Sequence, residues 1–301
     1  MYWRLLDSVP SVELVCHRIV WSFLFLCLVA TTARWRLRRQ SLRAPATDAH
    51  LATPLKLVKI GCIYSLAAAL ISINWLAFIW AVNHGRVLEA SLGYYINPLF
   101  SVLLGVLCLG ERVSRWQGAA IGIAAMGVSV MAIAGGEIPW ISLALASSFA
   151  LYGLVKKAAP LSSMTGLLVE TTVLVLPALG YLVAMESNGS GAISHGTSVS
   201  LSLLMLGGCI TVLPLALFAT AAQRVPLSTL GILQYIGPTL QLAIGIFLFK
   251  EPFGLWRLIG FSLVWIGSIL FLVALRSYHA NREDANHSYA IPGDLKLVPA
   301  E

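Results

Sequence analysis

The chain contains a copy of itself. Residues 77–128 and 217–268 align without a gap at a constant offset of 140. A repeat at a fixed offset indicates that one structural unit has been built twice. Both copies are strongly apolar and carry a proline inside a long apolar run, a pattern typical of secondary transporters. The matched positions include Tyr95-Ile96-Asn97-Pro98 with Tyr235-Ile236-Gly237-Pro238, Gly105 with Gly245, Glu111 with Glu251, and Gly127 with Gly267.

Composition places the repeat in a membrane. Hydrophobic residues make up 58% of the 301 residues and charged residues 11%, whereas soluble domains have about 45–50% and about 25%. The apolar runs are continuous rather than alternating, and about 20 residues is the length a helix needs to cross a bilayer. The sequence therefore predicts an all-α integral membrane protein.

Nine apolar runs are long enough to span, and the basic residues between them predict their orientation. With the 34–57 gap in the cytoplasm, fifteen of the twenty Lys and Arg residues fall inside and four outside. This bias predicts a cytoplasmic C-terminus. The predicted spans lie near 13–33, 58–82, 87–109, 116–134, 138–155, 164–185, 201–222, 228–249 and 256–275.

In this topology the runs 87–109 and 228–249 cross the membrane in opposite directions, so the two copies are inverted. We assign residues 1–135 to the first repeat, 136–275 to the second, and 276–301 to a polar, disordered cytoplasmic tail. The second repeat has five spans and the first only four. We therefore expect a further helix before Val12, most of which this chain lacks.

Several strings resemble the RarD branch of the EamA family of drug/metabolite transporters. The resemblance runs from about residue 3 to 275 and implies ten helices in two inverted EamA repeats, five plus five, in the bacterial inner membrane. It also implies the fold of small-metabolite exporters and a first helix that is mostly absent here. The strings are residues 17–22, 74–83, 88–99, 109–112, 228–231 and 234–240, from His17-Arg18-Ile19-Val20-Trp21-Ser22 to Gln234-Tyr235-Ile236-Gly237-Pro238-Thr239-Leu240.

The paired prolines predict a solute site near the bilayer midplane. Pro98 and Pro238 cannot donate a backbone N–H, so they free the carbonyls of Tyr94 and Gln234, which need a partner or a cavity in lipid. A kink that serves only packing is the alternative. Asn74 either lines the same cavity or clamps a neighbouring helix. The predicted solute-binding residues are Asn74, Tyr94, Tyr95, Asn97, Pro98, Gln234, Tyr235, Pro238 and Gln241.

Three ionisable residues fall inside predicted spans: His17, Arg18 and Glu170. Buried charge in a membrane favours a functional role, so we predict charge recognition or ion coupling for them. A structural ion pair, or snorkelling of Arg18 to the surface, is the alternative.

The leading hypothesis is a secondary transporter of a small organic solute, with no cofactor, metal or nucleic acid involved. A channel, a structural or chaperone-like membrane protein and a membrane enzyme are the alternatives. The chain shows no H-E-x-x-H and no P-loop, which disfavours metal-dependent hydrolysis and ATP-driven pumping, and it offers no filter motif. The G-x-x-x-G of Gly118 and Gly122 favours packing within the monomer over homodimerisation.

The basic asymmetry makes the topology testable. In a background without native cysteines, we expect single cysteines at Ser41 and Ser190 to react from opposite sides of the membrane, because the two gaps lie on opposite sides. Labelling of intact cells with an impermeant thiol reagent measures this. Modification of both positions from outside would contradict the orientation.

Overall fold

The computed structural model describes residues 6, 9–40, 54–134, 140–240 and 254–288. Within these ranges the chain is helical, and eight helices are long and apolar enough to cross a membrane. This confirms the all-α prediction and eight of the nine predicted spans. The helices are α1 Ser11–Gln40, α2 Pro54–Asn83, α3 Val87–Leu109, α4 Arg115–Ala134, α5 Trp140–Ala158, α6 Ser163–Ser187, α7 Ala192–His195, α8 Ser198–Arg224, α9 Leu227–Leu233 and α10 Leu255–Ser288.

The ninth predicted span, 228–249, begins differently from the others. Helix α9 ends after seven residues, a turn follows at 234–235, and residues 236–240 are helical again. The remainder of this run lies outside the described residues, as does the predicted boundary between the repeats at 135–136. The tail prediction is wrong in part, because α10 continues as a helix to Ser288.

Helices α4 and α10, which occupy the same place in the two copies, pack against each other through small residues. A Cβ atom on Gly127 would lie 2.5 Å from the carbonyl oxygen of Gly260, and one on Gly267 would lie 2.6 Å from that of Ala120. Ala120 and Gly260 are themselves 140 residues apart, so the two contacts are the same contact made twice. Their order along the helices makes α4 and α10 antiparallel, as an inverted repeat predicts.

The spanning helices share two hydrophobic cores. Leu14, Ile71, Tyr152 and Leu182 belong to a core shared by α1, α2, α5, α6 and α8. A second core joins α3, α4, α9 and α10. Helix α5 contacts both α2 and α3, so it connects the two cores, and the candidate site lies beside it.

The G-x-x-x-G motif does not behave as predicted. Among the described residues, none lies within 4 Å of the position that a Cβ would take on Gly118 or Gly122. The described part of the monomer therefore does not pack against this motif, contrary to the prediction. The close approach of α4 is made by Gly127 on another part of its surface.

This difference predicts opposite effects of one substitution on one helix. Gly127→Ala forces the α10 backbone away, and overpacking of this kind costs roughly 1–3 kcal/mol. Gly122→Ala enters open space and gains about 0.8–1 kcal/mol in helix propensity. Thermal unfolding of the two variants in detergent, followed by tryptophan fluorescence, measures the difference. Equal stability of the two would contradict the α4–α10 contact.

Candidate functional site

A cavity of about 300 Å³ opens between α2, α3, α5 and the interrupted segment after α9. Five of its lining residues were predicted from the sequence, and four were not. The predicted ones are Asn74, Tyr94, Asn97, Gln234 and Pro238; the others are Gly93, Leu145, Phe149 and Gly237.

The two repeat-related segments meet at this cavity. A Cβ on Gly231 of α9 would lie 2.8 Å from the carbonyl oxygen of Pro98, so only glycine allows the two backbones to approach so closely. Next to this crossing, the Asn97 Nδ2 group donates a hydrogen bond of 2.5 Å to Gln234 Oε1. A hydrogen bond between two side chains thus connects the first repeat to the second at the cavity lining.

The two prolines do not have the same effect. Helix α3 continues through Pro98 for its whole length, whereas the second copy breaks four residues before Pro238. There the Gln234 carbonyl accepts a hydrogen bond of 3.2 Å from the Gly237 N–H. The carbonyl that Pro238 frees is therefore satisfied by a tight turn, and the irregular backbone lies at the cavity, where membrane proteins tolerate it.

Asn74 fits both alternatives considered for it. Its Nδ2 group donates to the Leu145 carbonyl at 2.9 Å and to Ser148 Oγ at 3.1 Å, which clamps α2 to α5. The same residue lines the cavity. A buried amide needs such partners, because an unsatisfied one is costly in a membrane.

Tyr95 and Tyr235 lie away from the cavity lining. Their side chains are 4% and 3% exposed, and their rings stack on each other with centroids 6.4 Å apart. Tyr95 also makes an edge contact with Phe261 of α10. The structure thus places the pair in the core between α3, α9 and α10. Gln241, the last predicted solute-binding residue, lies outside the described residues.

Glu111 links the end of α3 to the start of α9 through hydrogen bonds. Gly110 adopts a left-handed conformation with φ 65°, and this turn brings the Glu111 carboxylate to the first turn of α9. The carboxylate accepts hydrogen bonds from the backbone N–H groups of Leu227 and Ser228 and from the Ser228 hydroxyl, at 2.6–2.9 Å. A Cβ on Gly105 would lie 2.7 Å from this carboxylate. Gly105 therefore provides the space that the contact needs.

Arg18 lies beside the cavity but not in its lining. Its Nε donates a hydrogen bond of 2.7 Å to Thr211 Oγ1 of α8, and its guanidinium lies 4.1 Å from the centre of the Trp75 ring. Trp75 follows Asn74, which lines the cavity, so this contact places Arg18 beside the lining.

His17 and Glu13 form a buried pair at the start of α1. His17 Nε2 lies 3.8 Å from Glu13 Oε1, which is too long for a hydrogen bond. That carboxylate oxygen accepts a bond of 2.6 Å from the Ala192 N–H of α7. Glu13 therefore joins α1 to α7, and neither residue of the pair lines the cavity.

Glu170 forms an ion pair with Lys156. The two groups are 2.7 Å apart, and their side chains are 2% and 0% exposed. Glu170 also accepts a hydrogen bond of 3.1 Å from the Tyr152 hydroxyl, and the ammonium group lies 5.5 Å from the Tyr64 ring centre. Lys156 is thus not the loop cation that the topology count takes it for, although the count keeps its strong asymmetry without it.

The sequence contains signals for four of the residues missed. Glu13 precedes His17 by four residues on one helix, a spacing that places both on one face. Glu111 and Gly105 both recur at the offset of 140, so the repeat marks both as positions that the two copies share. Lys156 directly follows the predicted span 138–155, and a cation that turns into a span requires an anion there, such as Glu170. Leu145 and Phe149 carried no signal, because apolar residues on a spanning helix face lipid, core or cavity alike.

Comparison with known proteins identifies the class. The EamA-like transporter family model matches residues 2–133. A protein of Bacillus subtilis, "Uncharacterized transporter YojE", is 48% identical over 90% of this chain and 87% of its own. "Protein RarD" of Streptomyces exfoliatus is 44% identical over 100% of this chain and 91% of its own. The corresponding values for "Protein RarD" of Escherichia coli are 38%, 90% and 88%.

A solved crystal structure has the same fold, with a TM-score of 0.58 at 19% identity, covering 92% of this chain and 94% of the other. Fold and relatives together define a multi-pass helical membrane transporter. The chain belongs to the RarD branch of the EamA family, which confirms the resemblance seen in the sequence. The relatives are named as transporters or RarD proteins rather than as enzymes.

The buried Lys156–Glu170 pair predicts a non-additive pattern of stability. Lys156→Met or Glu170→Met alone leaves one buried group without its partner, which costs about 3–5 kcal/mol. Lys156→Met combined with Glu170→Met removes both charges and restores most of the loss. Thermal unfolding of the three variants in detergent measures this.

The half-exposed pair of Arg86 and Glu89, 3.0 Å apart, provides the control. Exposed pairs contribute about 0–1 kcal/mol, so Glu89→Gln should change stability little. Additive losses in the Lys156 and Glu170 variants would contradict a closed ion pair.

Proposed function

We propose that this protein is a secondary transporter that moves a small organic solute by alternating access around the cavity at Asn97 and Gln234. The observation that carries this proposal is the position of the cavity. It lies about midway along α3, where the two repeat-related segments cross. A site at the junction of inverted repeats becomes accessible from either side when the repeats exchange conformations.

The lining supports a small solute with both apolar and polar groups. Tyr94 and Phe149 present aromatic rings, and Asn74, Asn97 and Gln234 present side-chain amides. Among the described residues the lining contains no charged side chain. A cavity of about 300 Å³ is at the small end of ligand sites in proteins, which favours a metabolite-sized solute.

The hydrogen bonds between the two repeats would have to break and re-form during alternating access. Glu111 closes one end of the α3–α9 crossing, and its hydrogen bonds must open if α9 is to move away from α3 there. The repeat places Glu251 in the matching position of the second copy. Two equivalent contacts that open alternately would support the exchange between inward-facing and outward-facing states.

We keep His17, Arg18 and Glu170 as the residues proposed for charge recognition or ion coupling. Arg18 is the strongest of the three, because its guanidinium contacts the ring of Trp75, which follows the lining residue Asn74 on α2. Glu170 can take part only if it exchanges its partner Lys156 for a proton or a cation. His17 is remote from the cavity, so a coupling role for it has to act through α1.

The orientation and setting follow from the sequence. We place the protein in the bacterial inner membrane with the C-terminal end of α10 in the cytoplasm, since the basic residues cluster on that side. A homodimer remains part of the proposal, because Gly118 and Gly122 leave an open surface on α4.

The proposal predicts that a side chain placed in the cavity stops transport. Gly237 lines the cavity, and a Cβ there meets nothing within 4 Å. Gly237→Leu should therefore fill the cavity without displacing the backbone, and reduce the transport rate at least about ten-fold. We would measure counterflow into proteoliposomes without ATP, using a panel of labelled neutral and zwitterionic metabolites, because counterflow is a property of carriers and not of channels.

Gly180→Leu is the matched control, because Gly180 on α6 also has open space around it but lies outside the lining. It should transport as the parent does. Full activity of Gly237→Leu, or equal loss in both variants at normal stability, would place the solute path elsewhere. Conductance far above carrier rates would favour the channel alternative.

A further inference from the structure

We propose that the cavity selects flat solutes that carry an N–H donor and a carbonyl acceptor side by side, as in a lactam, a cyclic imide or a cis-amide. This inference rests on the proposed function, because it names the solute class of the same cavity. It rests on the two polar atoms of the Asn97–Gln234 pair that have no hydrogen-bond partner among the described residues.

The pair is joined by one hydrogen bond only. In that bond Asn97 Nδ2 donates to Gln234 Oε1. The other two polar atoms, Asn97 Oδ1 and Gln234 Nε2, are buried and have no hydrogen-bond partner among the described residues. Asn97 as a whole is only 5% exposed. A buried donor and a buried acceptor without partners cost free energy, so the site gains when a solute satisfies both.

The conclusion does not depend on which way each amide is turned. If both side-chain amides are flipped, Gln234 becomes the donor in the shared bond and Asn97 the acceptor. The atoms left over are then an Asn97 N–H and a Gln234 carbonyl oxygen. In either case one donor and one acceptor remain, on neighbouring side chains of the two repeats. A solute with an adjacent N–H and C=O matches this pair in both orientations.

The rest of the lining fits a flat, uncharged body. Tyr94 and Phe149 provide rings on α3 and α5, while Gly93, Gly237 and Pro238 provide surface without long side chains. The Tyr94 ring makes an edge contact with Phe78, with centroids 5.7 Å apart at 67°. A carboxylate or ammonium group would find no opposite charge among the described lining residues, so recognition there depends on hydrogen bonds and ring contacts.

The test compares solutes that differ only at this edge. The probes are 2-quinolone, which has an adjacent N–H and C=O, and 1-methyl-2-quinolone and 2-methoxyquinoline, which lack the N–H. Binding to the purified chain in detergent is measured by thermal stabilisation and by calorimetry. We expect 2-quinolone to bind about ten-fold or more tightly than either analogue, because each analogue loses a hydrogen bond and leaves a buried amide unsatisfied.

A double variant assigns the discrimination to the pair. Asn97→Leu with Gln234→Met keeps the approximate volumes and removes all four polar atoms. It should bind the three probes within about two-fold of one another. Asn83→Leu is the control, because Asn83 bonds to Ser11 at the exposed end of α2, and it should keep the parent's ten-fold preference.

The outcomes separate this inference from the proposed function. Equal binding of the three probes by the parent, or no binding of any of them, overturns the amide-edge selectivity. If counterflow of another solute is still blocked by Gly237→Leu, the transport proposal stands without it. A preference for 2-quinolone that survives in the double variant also overturns the inference, because another site would then make the discrimination.

Discussion

The requirement that every backbone N–H and C=O finds a partner away from water governs this structure. Within the described ranges it is met first by helices, since these satisfy their own groups. Where a helix starts, stops or breaks, a side chain or a turn takes over. Glu111 satisfies the first N–H groups of α9, and Gly237 satisfies the carbonyl that Pro238 frees. These exceptions lie at or beside the α3–α9 crossing and the cavity.

The inverted repeat explains why polar residues concentrate there. Helices of the two copies meet around a common axis, and residues related by the offset of 140 come face to face. The Tyr95–Tyr235 stack is an example. Helices α4 and α10, also related by the offset, make the same contact twice. Each repeat contributes its own copy of the residues near such an axis. The two repeats differ at one place there: the second copy breaks at Gln234, whereas α3 is continuous.

The sequence was sufficient for the helices, the repeat and part of the cavity, for identifiable reasons. Apolar runs of spanning length specify helices directly, and the prolines marked the depth of the site, so Asn97, Gln234 and Pro238 were found. Side-chain direction was not available from spacing alone. Tyr95 and Tyr94 are neighbours on α3, and a rotation of about 100° between successive helix residues sends the first into the core and the second to the cavity. Lys156 was misplaced because hydropathy near a helix end does not reveal whether a cation points out or in.

The buried charged pairs lie apart from the residues that line the cavity. The Lys156–Glu170 pair and the His17–Glu13 pair are buried in the bundle of α1, α2, α5 and α6 and away from the lining, while the described cavity lining is neutral. A charged solute would have to give up its hydration without an opposite charge to replace it, whereas a neutral solute with a matching hydrogen-bonding edge gives up less. The neutral lining would thus favour exchange of uncharged solutes. Arg18 is held by Thr211 and by the Trp75 ring, outside the lining. In the proposed transport cycle it would therefore act through these neighbours and not by contact with the solute.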